Sequence, residues 1–329
     1  MWRLNSFGFM QNRLQRSFTL LIYFFFVSAA IGNGGFIRHT DQYYLIDDID
    51  RWHANLSARL LLTAAAVDDF FVDERSLDER QDSHVRVNTS IRYEDLDRLT
   101  FRVNLSAQIA LPKVRDEIRL LFDTEGKERD IGESFRTAPD VPDNERSVFA
   151  GLRYVTRETR RSLVTLDGGL RWRNGPVPVI RVRGRRTFVY DVWAIRATQT
   201  FFWREDRGFG EQTRLDFERM LDDQHFLRLS PSKIWSETSQ GLDLRHVASV
   251  VQIRSPNTMI GVELDVQGHT HTSAKVDKFE AAVRWRQRGH RDWLFFEVAP
   301  GMAFKREFDF EMRPILTLRC EILFGSGYE

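Results

Sequence analysis

From His84 onwards, apolar and polar residues alternate along most of this chain. In Leu99–Leu111 the side chains of Phe101, Val103, Leu105, Ala107, Ile109 and Leu111 take every second position, and Thr100, Arg102, Asn104, Ser106 and Gln108 fill the gaps. A strand points successive side chains to opposite faces, so this segment has one apolar and one polar face. A helix would scatter both sets around its circumference. The pattern recurs to Phe324 in about fourteen segments of about ten residues, the length of a tilted membrane strand. Short connections at Pro112-Lys113, Arg157–Arg160, Asp191, Asp222-Asp223, Pro256-Asn257 and Gly289-His290 alternate with longer ones at Glu125–Arg146, Arg204–Glu211, Glu237–Gly241 and Lys305–Arg313.

These features predict an all-β fold: a transmembrane antiparallel β-barrel of about fourteen strands, with twelve to sixteen as the range. An even count puts both ends of the barrel on one side. Alternation alone would also serve a soluble β-sandwich, polar outside and apolar inside. Strand number, strand length and aromatic strand ends favour the barrel.

The first residues read differently. Arg3, Arg13 and Arg16 precede the apolar block Phe18–Ile31, and small residues follow. This is the pattern of a secretory signal peptide over residues 1–30. Residues 31–82 then form an amino-terminal segment, and residues 83–329 the barrel. Within the segment, Ile49, Trp52, Leu56, Leu60, Ala64 and Val67 recur at three- and four-residue steps, which predicts an amphipathic helix over Asp47–Phe71. Two placements fit that helix. It packs on the barrel's periplasmic rim or binds a partner, or it plugs the lumen.

Composition narrows the chemistry. The 48 basic and 47 acidic residues leave a formal charge of +1, and no basic stripe argues for nucleic acid. Cys320 is the sole cysteine, so neither an internal disulfide nor a thiolate cluster can form. No sequence feature calls for a cofactor or a metal. A mean hydropathy of -0.40 is compatible with half-polar membrane strands. No fingerprint of a nucleophile elbow, zinc peptidase, P-loop or dinucleotide fold occurs. The glycines of Arg207–Glu211 read as turn formers.

In its strand series the chain resembles Gram-negative outer-membrane β-barrel proteins, over Ser83–Phe324. The last strand carries the most specific likeness: Leu316, Leu318, Ile322 and Phe324 mark one face and an aromatic closes it. The resemblance implies an outer-membrane location after Sec-type export, contact with outer-membrane lipid, and recognition by the barrel-assembly machinery through the strand ending at Phe324. Five residues, Gly325–Glu329, follow where the usual signal ends. The stretches Arg204–Arg219 and Arg291–Phe304 resemble uncharacterised proteobacterial barrel proteins.

Arg102, Arg171, Arg181, Arg183, Arg185, Arg196, Asp216, Glu218, Glu263, Asp265 and Glu297 fall on the predicted inner face. They read either as a ladder of cross-strand ion pairs that stiffens the barrel or as the lining of a permeation path. A channel or passive transporter for small polar solutes is the first functional expectation. A structural or assembly barrel, binding a periplasmic protein through Asp47–Phe71, is the second. A hydrolase is the third: His269, His271 and Ser273 lie together near a strand end, a spacing that could pair a base with a nucleophile or hold a metal.

Overall fold

The computed structural model describes residues 59–64, 66–67, 70, 83–94, 98–111, 117–124, 147–159, 161–172, 175–239, 241–271 and 273–325. The expected signal peptide, residues 47–58, 65, 68, 69 and 71 of the predicted helix, the expected 125–146 loop and the last four residues lie outside them.

Fourteen strands follow in chain order: β1 (His84–Glu94), β2 (Arg98–Ala110), β3 (Ile118–Asp123), β4 (Val148–Thr159), β5 (Ser162–Trp172), β6 (Pro176–Tyr190), β7 (Trp193–Arg204), β8 (Gly208–Met220), β9 (His225–Ser236), β10 (Asp243–Ser255), β11 (Thr258–His269), β12 (Lys275–Arg288), β13 (Leu294–Lys305) and β14 (Met312–Gly325). Each pairs antiparallel with its sequence neighbours. The sheet closes where β1 meets β14, in a register running from His84↔Gly325 to Glu94↔Ile315. Closure joins the first and last strands and so removes the free sheet edges that an open sheet would carry there; β3 is short and pairs only Ser106–Ala110 of β2. The near mouth is the end where β1 begins and β14 finishes; the far mouth is the other.

Alternation sets the two faces. Along β2, Leu99, Phe101 and Val103 are 60%, 56% and 50% exposed, while Arg102 and Gln108 between and beyond them are 7% and 4% exposed. A soluble sandwich would show the reverse. The same inversion runs around the barrel: Leu152, Leu166, Ile180, Val182, Val262, Val283 and Leu318 face outward and exposed, and their polar neighbours face in.

The connections depart from expectation at Arg204–Glu211, and the one expected at Pro112-Lys113 runs from 111 to 117. The Arg204–Glu211 stretch is no long loop, because β8 begins at Gly208. Arg207 N–H donates to the Arg204 carbonyl across a tight turn, and Gly208 takes φ 69° there, a conformation that favours glycine. Gly210 has a different task. It faces Phe202 across the β7–β8 ladder, and a Cβ there would meet the Phe202 ring. A run of charged and glycine residues thus reads as loop in sequence while its strand register continues through it.

Before the barrel, residues 59–64, 66–67 and 70 are helical; this segment is α1. Leu60, Ala64, Val67 and Phe70 form its buried face, and Leu62 on the opposite face is 71% exposed.

Candidate functional site

The inner wall is charged, and most of its charge is paired. Near the β12–β14 side, Glu297 accepts from Arg284 at 3.2 and 2.7 Å. Arg286 and Arg319 approach the same carboxylate at 3.6 and 3.4 Å. Arg286 also reaches Glu321 at 3.4 Å, as does Arg86 from β1, and Arg284 reaches Glu263 at 3.4 Å. A second cluster joins β7, β8 and β9. Arg196 bonds Asp216 at 3.0 Å and Glu218 at 3.1 Å, Arg228 bonds Glu218 at 2.8 Å, and Ser230 donates to Asp216 at 2.6 Å. Arg245 on β10 grips Asp265 on β11 with two bonds, at 2.9 and 2.7 Å. Guanidinium forks suit such shared carboxylates because several N–H groups lie in one plane.

Curvature produces pairs that no strand ladder would. Arg92 on β1 bonds Glu280 on β12 at 3.1 Å, past two intervening strands. Lys305 reaches Glu94 at 2.6 Å and Lys278 reaches Glu280 at 2.6 Å, so a salt-linked brace crosses the interior toward the far mouth.

The β4–β6 wall is different. Asp167 on β5 accepts from Arg153 at 2.8 and 3.0 Å, and Arg181 stands 3.1 Å away. Arg183 is buried on the same wall, while Arg171 and Arg185 are half-buried.

α1 occupies the near mouth. Its buried residues join Ala194, Phe226, Val251, Met259, Phe295 and Leu323, all inward-facing feet of their strands, in one apolar cluster. Phe70 meets Phe295 edge to face with ring centroids 5.9 Å apart. At the other end, Arg59 bonds Asp223 in the β8–β9 turn at 3.2 Å. Arg59 and Phe70, eleven positions apart, thus meet the β8–β9 turn and β13 respectively, so α1 spans part of the opening. The described part of the helix lies against these inward-facing strand feet at the near mouth. Above it, Arg286 stacks 4.7 Å over Phe295 and Arg228 5.3 Å over Phe226, joining the apolar ring to the ionic layer.

The structure puts all eleven inner-face residues named from sequence on the inside of the wall. It adds Arg153, Arg228, Arg245, Arg286 and Arg319, which share networks with them, and Arg92, which bonds Glu280. Parity could have found these: Arg228 stands two positions before Ser230 and Arg286 two after Arg284.

His269 and His271 stack at the far mouth with centroids 4.6 Å apart. His269 Nδ1 lies 2.6 Å from Asp277, and His271 Nε2 lies 3.0 Å from Asp243. Ser273 is exposed, and among the described residues neither imidazole bonds it. The nucleophile–base hydrogen bond that a hydrolase needs is not formed by this trio. Among the described residues no group of three or more His, Cys, Asp or Glu side chains is placed to hold a metal.

Two aspartates in the turns titrate low. Asp222, in the near-mouth β8–β9 turn, accepts the backbone N–H of Gln224 and bonds the His225 ring, and both hold its carboxyl below the ordinary aspartate range. Asp206, in the far-mouth β7–β8 turn, is pushed up by partial burial, but the Arg204 fork at 3.0 and 2.7 Å outweighs this and lowers it.

Neither family profiles nor curated protein sequences match this chain. Solved structures do, at low identity. A loop-deletion mutant of the Vibrio cholerae outer-membrane protein OmpT is 9% identical with a TM-score of 0.45, covering 74% of this chain and 98% of its own. Pseudomonas aeruginosa OpdK, solved with vanillate, is 9% identical with a TM-score of 0.42, covering 74% and 98%. The outer-membrane channel DcaP of Acinetobacter baumannii is 9% identical with a TM-score of 0.43, covering 74% and 96%.

Proposed function

We propose that this chain is an integral outer-membrane barrel that passes small polar solutes and that α1 gates its near mouth. The observation that carries the reading is the inversion of the faces. Hydrocarbon accepts a closed sheet because every backbone group is bonded within it, and the exposed apolar residues of the outer wall suit lipid rather than water. Inside, charged groups that a dry core would reject unpaired bond one another, and Arg86, Arg181, Arg214 and Lys278 keep part of their side chains open to water. Phe324, 54% exposed at the foot of β14, supports reading that strand as the assembly signal. The helix seat is apolar and small, a contact that can open without breaking the ionic wall.

One observation favours a second reading, a rigid structural barrel. Arg284, Arg286, Glu297 and Glu321 are each no more than 2% exposed, which is packing fit for stiffness. Planar-bilayer conductance separates the two. The processed protein should show rare, small openings, and Ala64→Glu, which forces a charge into the helix seat, should show frequent, larger ones. Silence from both forms overturns the channel.

A further inference from the structure

The outer wall is not apolar all round. On β1, β2, β3, β5, β11, β13 and β14 no outward-facing residue is charged, nor is one on β4 between Val148 and Tyr154 or on β12 between Phe279 and Gln287. Strands β7–β10 differ. Gln199 on β7, Glu211 and Thr213 on β8, Lys233 on β9 and His246 on β10 all take outward positions, in step with the exposed Phe209 and Leu229. Register gathers them. Gln199 pairs with Thr213, and Thr213 with Lys233; Glu211, opposite Trp235, stands one outward step nearer the far mouth; His246, opposite Pro231, stands one step nearer the near mouth. Thr213 donates to Gln199 at 2.7 Å and Lys233 to Glu211 at 3.4 Å. The Lys233 and Glu211 side chains still keep 44% and 32% of their surface open, and His246 is exposed. Arg186 on β6 flanks the patch at the Ala197 level and leans over the Phe188 ring.

The patch lies at hydrocarbon depth. Trp193 and Trp203, outward near the two ends of β7, alternate with the buried Ala194 and Phe202. At about 3.4 Å per residue and a tilt of about 40°, these two indoles stand about 26 Å apart in depth, the height of a barrel's apolar band. Gln199 lies about 16 Å from the Trp193 level by the same measure. Headgroups and water account for polar side chains at either rim, but not for ones set this far inside the band. Ionisable groups on a lipid-facing strand cost most toward the middle of the bilayer, so acyl chains are a poor neighbour for this stretch.

We infer that the outer face of β7–β10 is an interface with a second copy of this chain, related by a two-fold axis along the membrane normal. Rotation about that axis keeps every residue's depth, so the patch of one copy meets the same patch of the other at matching levels. A patch that faces itself must be self-complementary. Here Lys233 and Glu211 carry opposite charges, and the Gln199 amide, the Thr213 hydroxyl and the His246 imidazole each donate and accept. Lys233 has three donors, so it can serve Glu211 of the second copy while keeping its own. Charge pairing between copies takes these groups out of lipid contact, and the small outward Ala197 and Ala248 beside the patch let the two walls approach.

This inference rests on the barrel's lying in a bilayer and not on conduction, which the planar-bilayer test reads separately. Sedimentation equilibrium of the whole processed protein in density-matched detergent should give twice the mass of one chain. Lys233→Leu with Glu211→Leu and His246→Leu should raise the dimer dissociation constant by about tenfold or more. Lys233→Met alone should weaken the dimer in the same direction, and Leu166→Ala with Leu170→Ala on β5 should leave it unchanged. Heat-sensitive gel mobility confirms that each variant forms the barrel. A native barrel that sediments as a monomer, whether bare or carrying lipopolysaccharide, overturns the inference. So does a dimer that both the triple variant and Lys233→Met leave at full strength.

Discussion

Glu297 shows what single residues do in this wall. Three guanidiniums converge on one carboxylate that is 2% exposed. Removing it leaves like charges buried together, so Glu297→Ala should cost about 3–5 kcal/mol. Urea unfolding of the vesicle-bound barrel measures this, and Met302→Leu on the outer wall should stay within about 0.5 kcal/mol. Asp222 gives a prediction in pH. Its folded carboxyl titrates below the unfolded one, so its support of the β8–β9 turn is fully present above the ordinary aspartate range. That support disappears as pH falls through the lower, folded value. Amide exchange at Gln224 and His225 should therefore stay slow through the ordinary range and quicken only under stronger acid; quickening within that range would contradict the assignment. At this scale the sequence disclosed which face each charge takes, because strand parity does not depend on neighbours. It did not disclose partners. Arg92 and Glu280 are 188 positions apart and meet only because the closed wall bends β1 toward β12.

Among the elements, α1 and the β7–β8 hairpin carry the most. The helical period of Leu60, Ala64 and Val67 announced an apolar face but not its receptor. The receptor is a ring of six strand feet, each contributing one inward residue too isolated in sequence to read as a site. Phe70→Ala removes the ring that meets Phe295 and should weaken the seat by about 3–5 kcal/mol. Hydrogen exchange at residues 60–67 should then rise while the strands stay protected; unchanged exchange would mean that the helix is held by something else. In the hairpin, Gly210→Val should destabilise by about 1–3 kcal/mol through the Phe202 ring and the Trp235 carbonyl, and Phe202→Ala should recover only the part due to the ring. Thermal unfolding of the single and double variants tests this coupling. The hairpin was misjudged from sequence because charge and glycine signal a loop on average, whereas ladder register is a property of the partner strand.

For the whole molecule, fold and orientation of faces were the legible part. About fourteen alternating segments and their connections are enough to ask for closure, and closure fixes inside and outside together. Charge placement was less legible, since a formal charge of +1 for the chain does not say which inward groups meet. The central claim is that lipid surrounds the apolar outer wall. Trp172 and Trp285 stand on that wall, 49% and 41% exposed. The most direct measurement is the emission of variants retaining one of these tryptophans, in vesicles of brominated lipid and with iodide in the water. The account predicts that bromine on the acyl chains quenches both and iodide quenches neither; quenching by iodide alone would contradict it.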